Sequence, residues 1–407
     1  MKSTQITLRW VPALLTLAAL LAGCVNQAVE RARVVPLVAA EQELPREQLL
    51  NVNIAVFDPN IPADPEVQEE ELIFPSVRQA ESAYLAYNLR QTMEGTGNWG
   101  AVRVVPDQIP NSELLVTATI IHSDGETLEL GVRAADATGR VWIDKVYRHQ
   151  AGRQDYRGST EGREPFQALY NELSNDLLAM RNQLRDADLI EIQRVSALRF
   201  AADIAPDAFG HLLAEERGRY RALGLPAVDD PMFARVERIR ERDHLLIDSL
   251  DAHYLAFHES MAQPYAHWRA VSYQEAANFK EMQGQARGRK VLGALLVAAG
   301  VVGMAKSDNS VEALGSQAAV LGGGYLFKTG IDRRREAEMH IIALREVGES
   351  LGGDLEPRVI ELEGRTVTLN GSAQVQYREW RELLREIYAE ETGLPVGADG
   401  SRSNPGT

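Results

Sequence analysis

Alternating apolar and polar residues predict five strands and one helix between residues 49 and 155. A short strand, VNIAVFD, begins at Val52, and the helix runs from Val77 to Met93 with Tyr84 and Leu89 in its apolar spacing. The further strands are VRVVPD, ELLVTATII, TLELGVRAAD and RVWIDKVYRH. SDGE and DATG join the last three strands and have the composition of hairpin turns. The simplest architecture for these elements is one helix against a mostly antiparallel sheet.

A helical pattern replaces the strand pattern between residues 160 and 285. Leucines, alanines and charged residues recur there at three- and four-residue spacing, which is typical of amphipathic helices. Breaks are expected at Ala205-Pro206, between Gly224 and Pro231, and at Pro264, so that four helices of ordinary length fit the segment. Acidic and basic residues alternate on the polar faces, as expected of solvated helix surfaces.

A glycine-rich apolar segment follows over residues 286–335. Two apolar runs, Val291 to Ala305 and Val311 to Phe327, flank a polar link at 306–310. This pattern predicts a helical hairpin, and it resembles the glycine-zipper hairpins of envelope proteins. Small residues at these positions let two helix axes approach closely. The residues predicted to pack the hairpin are Gly293, Ala299, Gly300, Gly303, Gly315, Ala319 and Gly323.

Two structures are compatible with this glycine-rich hairpin. Insertion into a membrane or an oligomer would explain the small residues and the basic flanks, in which Arg287 and Lys290 could meet lipid phosphates. A tightly packed hairpin inside a soluble helical domain would explain Glu312 and Gln317 in the second run. The first run, about 22 Å long as a helix, is also short for a membrane span.

The C-terminal segment, residues 336–393, returns to a mixed pattern. A helix is predicted over 337–351, a β-hairpin around Gly364, and an amphipathic helix from Ala373 to Glu391 with Trp380 in the core. The polar tail at 394–407 is expected to be disordered. The fold class is therefore α+β, with a small α/β N-terminal domain, a central helical domain with a glycine-rich helical hairpin, and a C-terminal β-hairpin plus helix.

The chain begins with a basic region and a short apolar run, which ends at its single cysteine. Leu21-Ala22-Gly23-Cys24 resembles the lipobox of bacterial lipoproteins. The resemblance implies that residues 1–23 are a signal peptide, that Cys24 receives lipid, and that residues 24–48 tether the first domain to a membrane. Val25, rather than aspartate, after the cysteine implies outer-membrane sorting with the protein on the periplasmic face.

Composition narrows the function classes. The formal charge is −15, and loss of Lys2 and Arg9 with the signal peptide would move it to −17, which argues against nucleic-acid binding. The chain has no G-x-S-x-G elbow, phosphate loop, dinucleotide fingerprint or H-E-x-x-H motif, so no enzyme activity and no cofactor are expected. His244, Asp248 and Asp251 share one helical face, but a solvated face explains them better than a metal does.

The α/β segment resembles a known family of envelope domains. Its VNIAVF strand, the strand ending in Val-Pro-Asp, LLVTATI and the hairpin DATGRVW are similar to the small α/β domain of periplasmic envelope lipoproteins, of the curli-secretion and TolB amino-terminal type. This resemblance implies a binding or assembly module. We therefore expect a non-enzymatic envelope factor with a protein partner and a propensity to form homo-oligomers. The alternative is an oligomeric secretion or pore component that inserts its glycine-rich hairpin.

The lipobox predicts that Cys24 carries the acyl chains. Metabolic labelling with radioactive palmitate should mark the wild-type chain and leave Cys24→Ala unlabelled, because the thiol is the acceptor of the lipid. Equal labelling of both chains would show that the lipobox interpretation is wrong.

Overall fold

The computed structural model describes residues 34–70, 73–152, 154–156, 164–227, 229–300, 358–362 and 365–393. For residues 69–70, 274–300, 358–362 and 365–367 it describes the backbone alone. The described chain is a mixed α/β structure of the general α+β class, as predicted. Cys24, the predicted helix at 337–351, the tail and four of the hairpin glycine and alanine positions (Gly303, Gly315, Ala319, Gly323) lie outside the described residues.

A five-stranded mixed sheet forms the first layer. Its strands are β1 (Val52–Ala55), β2 (Val102–Val105), β3 (Leu114–Ser123), β4 (Thr127–Asp136) and β5 (Val141–Gln150), in the order β2-β1-β3-β4-β5. β1 pairs in parallel with both β2 and β3, whereas β3, β4 and β5 are joined by antiparallel hairpins. The parallel pairs arise because a helical crossover, rather than a tight turn, connects β1 to β2.

The two faces of the sheet differ in polarity. Alternate residues of β1 to β4 are apolar and buried, and we call the side to which they point the covered face; in β5 this side carries Ile143 and Tyr147 together with Lys145 and His149. Helices α2 (Pro75–Glu94) and α3 (Gln167–Arg181) pack there, so two helices cover the sheet rather than the one that was expected. A short helix, α1 (Pro65–Glu70), precedes α2. The opposite side is the open face, and it carries polar residues over much of its area.

The helical segment confirms two of the three predicted breaks. α4 (Asp186–Ile204) ends before Pro206, and α5 (Pro206–Phe209) is a single turn. A loop at 224–230 then precedes α6 (Pro231–Gly300), which continues through Pro264. The predicted break at Pro264 is therefore wrong. Proline inside a helix costs about 3 kcal/mol, but the buried neighbours Met261, Tyr265 and Trp268 each gain a comparable amount when they leave water.

A small hairpin between α5 and α6 was not predicted. Its strands are β6 (Leu213–Glu216) and β7 (Arg219–Ala222), joined at Arg217 and Gly218, which both have positive φ. Positive φ at the two central residues is the backbone of a tight hairpin turn. The strands are short and mostly polar, and they therefore gave no clear alternation in the sequence.

The C-terminal elements match their prediction. β8 (Arg358–Leu362) and β9 (Arg365–Leu369) form the expected hairpin, and α7 (Ala373–Thr392) is the expected amphipathic helix. The Ser372 side chain accepts a hydrogen bond from the Val375 amide at the start of α7, and Gly393 ends the helix with a φ of 67°. Trp380 is buried, as predicted. Arg381 binds Asp243 of α6 and Asp203 of α4, which ties α7 to both helices.

One contiguous apolar core joins the sheet to the helices. Buried residues of the sheet, α2, α3, α4, α6 and α7 belong to the same cluster. α2 is buried on nearly all sides because it lies between the sheet and its helical neighbours α3 and α6. The position of α6 is therefore determined by the sheet and α2 as much as by the other helices.

Buried polar groups hold α6 against α2. Glu81 of α2 is 1% exposed and accepts hydrogen bonds from the hydroxyl groups of Tyr265, at 2.6 Å, and Ser123, at 2.7 Å. Arg78 forms an ion pair with the same carboxylate at 3.3 Å. Burial raises the pKa of Glu81, while Arg78 and the two hydroxyl donors act in the opposite sense. A buried carboxylate with several partners fixes the register of two helices.

His258 of α6 forms a second contact with α2. Its ring stacks on Tyr84 with the centroids 4.4 Å apart, and its Nε2 lies 2.8 Å from the Asn88 side-chain oxygen. Burial lowers the pKa of His258 to about 4, and the nearby Arg269 acts in the same sense. The imidazole is therefore neutral in the folded protein at neutral pH.

This low pKa predicts a loss of stability in mild acid. The unfolded chain protonates His258 near pH 6.5, well before the folded protein does, so that the free energy of unfolding decreases as the pH falls from 7 to 5. His258→Phe keeps an aromatic ring on Tyr84 and removes the titration. We expect this variant to lose about 1–2 kcal/mol less than the wild type between pH 7 and 5. Urea unfolding at the two pH values measures the difference.

Replacement of the exposed His211 by glutamine is the control for the loss of a histidine from the chain. If His258→Phe and the wild type lose the same free energy, the histidine is not buried in the neutral form.

Candidate functional site

A groove of about 560 Å³ lies on the open face of the sheet, at the carboxyl ends of β1 and β2. β1 lies between β2 on one side and β3 on the other, so that the chain changes direction across the sheet at this point. In open sheets with parallel strands, ligands bind beside such a change of direction, because the loops leave a crevice there. The volume falls within the range of known ligand sites.

The floor of the groove is made of small and β-branched residues. Thr117 and Thr119 of β3, Gly131 of β4 and Val146 of β5 line it. Ile121 packs closely on Gly131, because a Cβ atom at position 131 would lie 3.3 Å from Ile121 Cδ1. Val146 lies opposite Gly131 and is 53% exposed, and Ile121 beside the groove is 40% exposed, so an apolar strip crosses the open face here.

Ion pairs between neighbouring strands border this apolar strip. On one side Arg133 of β4 binds Asp144 of β5 at 2.8 Å, and both side chains are exposed. On the other side Arg148 of β5 lies 3.8 Å from Glu129 of β4. In each pair the arginine and the carboxylate neutralise each other, so the pairs add almost no net charge to the groove.

The loops at the ends of β1 and β2 supply two further carboxylates. Asp58 follows β1 and Asp107 follows β2; both are exposed and line the groove. Each accepts a backbone hydrogen bond, from Asn60 and Gln108 respectively, and within the described ranges neither has an ion-pair partner. This wall of the groove is therefore negatively charged.

The β2 edge of the sheet is closed by α6. Asp251 Oδ1 accepts a hydrogen bond of 2.7 Å from the Val104 amide, which occupies an edge donor that a further strand would use. The same carboxylate binds Arg90 of α2 through both oxygens, at 3.0 and 3.1 Å. One turn earlier, Asp248 binds Arg103 of β2.

These contacts account for the acidic residues on the helical face that carries His244, Asp248 and Asp251. Asp248 and Asp251 are occupied by arginines and by the β2 edge, and His244 lies beside Arg240 and Arg103. Burial and these arginines lower the pKa of His244 to about 4. In the part of the chain that the structure describes, no group of three or more potential metal ligands is arranged to hold an ion.

The β5 edge differs from the β2 edge. Within the described residues β5 has a strand neighbour on its β4 side only. Asp144, Lys145, Val146 and Arg148 are exposed along it. An edge strand presents unpaired N–H and C=O groups to an incoming strand. The sheet thus has one closed and one open edge, and the open edge borders the groove.

A second, much smaller cavity of about 30 Å³ lies where β1, β2, α4 and α6 meet. Polar residues line it, among them Asn53, Ser112, Glu113 and His244. Burial raises the pKa of Glu113, although the Asn51 amide and side chain donate hydrogen bonds to its two oxygens. The cavity has room for one or two water molecules, so it is a structural feature rather than a ligand site.

Of the residues predicted to pack the glycine-rich hairpin, three lie within the described part of the chain. Gly293, Ala299 and Gly300 lie within α6, as part of one continuous helix that begins at Pro231. Sequence reasoning missed the groove, although two features pointed to it. Thr117 and Thr119 are the polar positions of an alternating strand, and Gly131 is a glycine inside a strand, which often marks a close approach of another group.

Among the helices within the described ranges, none is both long and apolar enough to cross a membrane.

No protein-family model matches the chain, and neither curated proteins nor solved structures match it.

The closure of the β2 edge predicts unequal effects of the two α6 carboxylates. Asp251→Ala should lower the free energy of unfolding by about 2–4 kcal/mol, because it leaves the buried Val104 amide without its acceptor and removes one of the two carboxylates that bind Arg90. Asp248→Ala, one turn away and half exposed, should cost less than about 1 kcal/mol. Urea unfolding of both variants measures this. Equal losses would contradict the proposed closure.

Proposed function

We propose that this chain is a lipoprotein anchored through Cys24 to the outer membrane, facing the periplasm, and that it acts as a non-enzymatic binding or assembly factor. Its groove on the open face of the sheet would hold an extended, positively charged segment of another envelope protein. The lipobox supports the anchor and the compartment. The observation that carries the binding function is the groove with its unpaired carboxylates.

The shape of the groove favours an extended segment. Its floor is made of β-strand residues, with Gly131 opposite Val146 across β4 and β5, and the exposed apolar strip beside it runs from Ile121 to Val146. A polypeptide in the β conformation places alternate side chains on such a floor and leaves the others in water. The 560 Å³ of space is enough for a few residues of such a segment.

The charge of the groove favours a basic segment. Arg133 and Asp144 neutralise each other, and Lys145 binds Asp176 of α3 at 2.6 Å. Asp58 and Asp107 are the remaining charges of the lining. The formal charge of −15 for the whole chain adds a long-range attraction for a cationic partner.

The arrangement of ionisable groups in the groove favours ligand binding over catalysis. The charged side chains on the floor are engaged in ion pairs, and the two free carboxylates are exposed to water at one wall. A general acid or base usually needs a protected position and a neighbour that shifts its pKa. The alternative, a pore or secretion component, depends on residues 301–335, which lie outside the described residues.

The proposed organisation assigns a role to each part of the chain. The α/β domain at 49–155 provides the groove, and residues 24–48 join it to the lipid anchor. The central helical segment and the C-terminal hairpin with its helix would support the sheet.

Peptides of opposite charge test the groove. We expect the full chain to bind a fluorescent (Thr-Lys)₅ peptide and not (Thr-Glu)₅, as measured by fluorescence polarisation at low salt. Asp58→Lys combined with Asp107→Lys should weaken binding of the basic peptide by about tenfold or more, because attraction at one wall becomes repulsion.

Glu379→Lys with Glu386→Lys changes the net charge by the same amount on the exposed side of α7 and is the matched control. If this control weakens binding as strongly as the groove variant, general electrostatics and not the groove hold the peptide. Equal binding of the two peptides would also contradict the proposal.

A further inference from the structure

The open edge strand β5 has a sequence that is complementary to itself. In an antiparallel pair of two copies related by a two-fold axis, directly opposed residues point to the same face of the sheet. The two-fold axis then passes through one residue that lies opposite itself. Every other residue is opposed by the residue at the same distance on the other side of that one. Only a few registers satisfy this condition over most of Val141–Gln150, so each of them can be tested against the charges of the strand.

One register brings opposite charges together. When Val146 lies opposite Val146 of the second copy, Asp144 lies opposite the second copy's Arg148, and Arg148 lies opposite its Asp144. Nine of the ten strand residues, 142–150, then have a partner. The exposed valines meet on the two-fold axis, and an ion pair lies on each side of them. On the covered face Lys145 lies opposite Tyr147.

The neighbouring registers are unfavourable. When the axis passes through Lys145, Lys145 lies opposite Lys145, and when it passes through Asp144, Asp144 lies opposite Asp144. When it passes through Tyr147, Asp144 lies opposite Gln150. When it passes through Arg148, Arg148 lies opposite Arg148. Like charges directly opposed across strands destabilise a pair, whereas opposite charges stabilise it. The register centred on Val146 alone pairs both charges of the open face.

The ion pairs within each copy extend this pattern. Arg133 already binds Asp144, and Glu129 lies beside Arg148, each in direct register across β4 and β5. In the paired sheet the row of side chains would read Arg133, Asp144, then Arg148 and Glu129 of the second copy. Positive and negative charges alternate along this row, and the row related to it by the two-fold axis repeats the pattern. A strand whose charges only prevented pairing would not need such alternation.

The edge is also regular where pairing would occur. The register between β4 and β5 shifts at one point, between Ala134 and Ala135, which leaves Trp142 as the bulged residue near the start of β5. Residues 143–150 continue without a shift. Bulges protect an edge when they interrupt it, but this one lies at the end of the strand.

We propose that two copies of this chain pair through β5, antiparallel and centred on Val146, to form a continuous ten-stranded sheet. The two grooves then lie on the same side of this sheet, related by the two-fold axis. This inference rests on the β5 edge and its charges, and it is independent of what the groove binds.

Cysteine cross-linking tests the register. In the Cys24→Ala full chain, Val146→Cys should form a disulfide-linked dimer on mild oxidation, because opposed Cα atoms in an antiparallel pair are about 4.5–5.5 Å apart. Asp144→Cys and Arg148→Cys should each give at least tenfold less dimer alone. When mixed, the two chains should cross-link to each other.

Sedimentation of the chain without added cysteines gives the second measurement. Asp144→Arg should weaken self-association at least tenfold, because it opposes two arginines, and Asp144→Arg with Arg148→Asp should restore it. Glu379→Cys on α7 is the control for cross-linking by random collision. A wild-type chain that remains monomeric throughout a dilution series, or equal dimer from all single cysteines, would overturn the proposal. Failure of the mixed pair to cross-link would overturn the register.

Discussion

The fold depends on one carboxylate that closes the edge of the sheet. Asp251 accepts the Val104 amide of β2 and holds Arg90 of α2, and it joins three elements that are distant in the sequence. Without it, the Val104 amide of β2 would lose its acceptor, and α6 would lose a buried hydrogen bond to the sheet edge. Because α6 also packs on α4 and α7, the position of the C-terminal helix depends on the same contact.

The polar groups around Glu81 and His258 add orientation to this contact. A helix that touches a sheet through apolar residues alone can slide by a turn at low cost, whereas a buried carboxylate with several donors has one favourable position. Tyr265 and Ser123 define that position for Glu81. The stacking of His258 on Tyr84 adds a second constraint between α6 and α2.

Local patterns predicted the strands and the amphipathic helices well. The alternation in ELLVTATII and TLELGVRAAD, and the apolar face around Trp380, are properties of short segments that tertiary contacts do not reverse. Pro264 was misjudged because its cost is local, while the compensating burial of Tyr265 and Trp268 comes from α2 and the sheet, which are far away in the sequence. The hairpin at Arg217 and Gly218 was missed because its strands are too short and polar for a period to be seen. The groove could be predicted in part only, since Gly131 and the two threonines become neighbours through strand register alone.

The difference between the two sheet edges also limits the size of any assembly. A sheet with two free edges can add strands at both and grow into a fibre, in which every copy binds two others. Here the β2 edge is occupied by Asp251 and α6, so each chain has a valence of one for strand addition. Growth of this sheet by strand addition would therefore end after a single step, and β5 can be exposed without the risk of polymerisation.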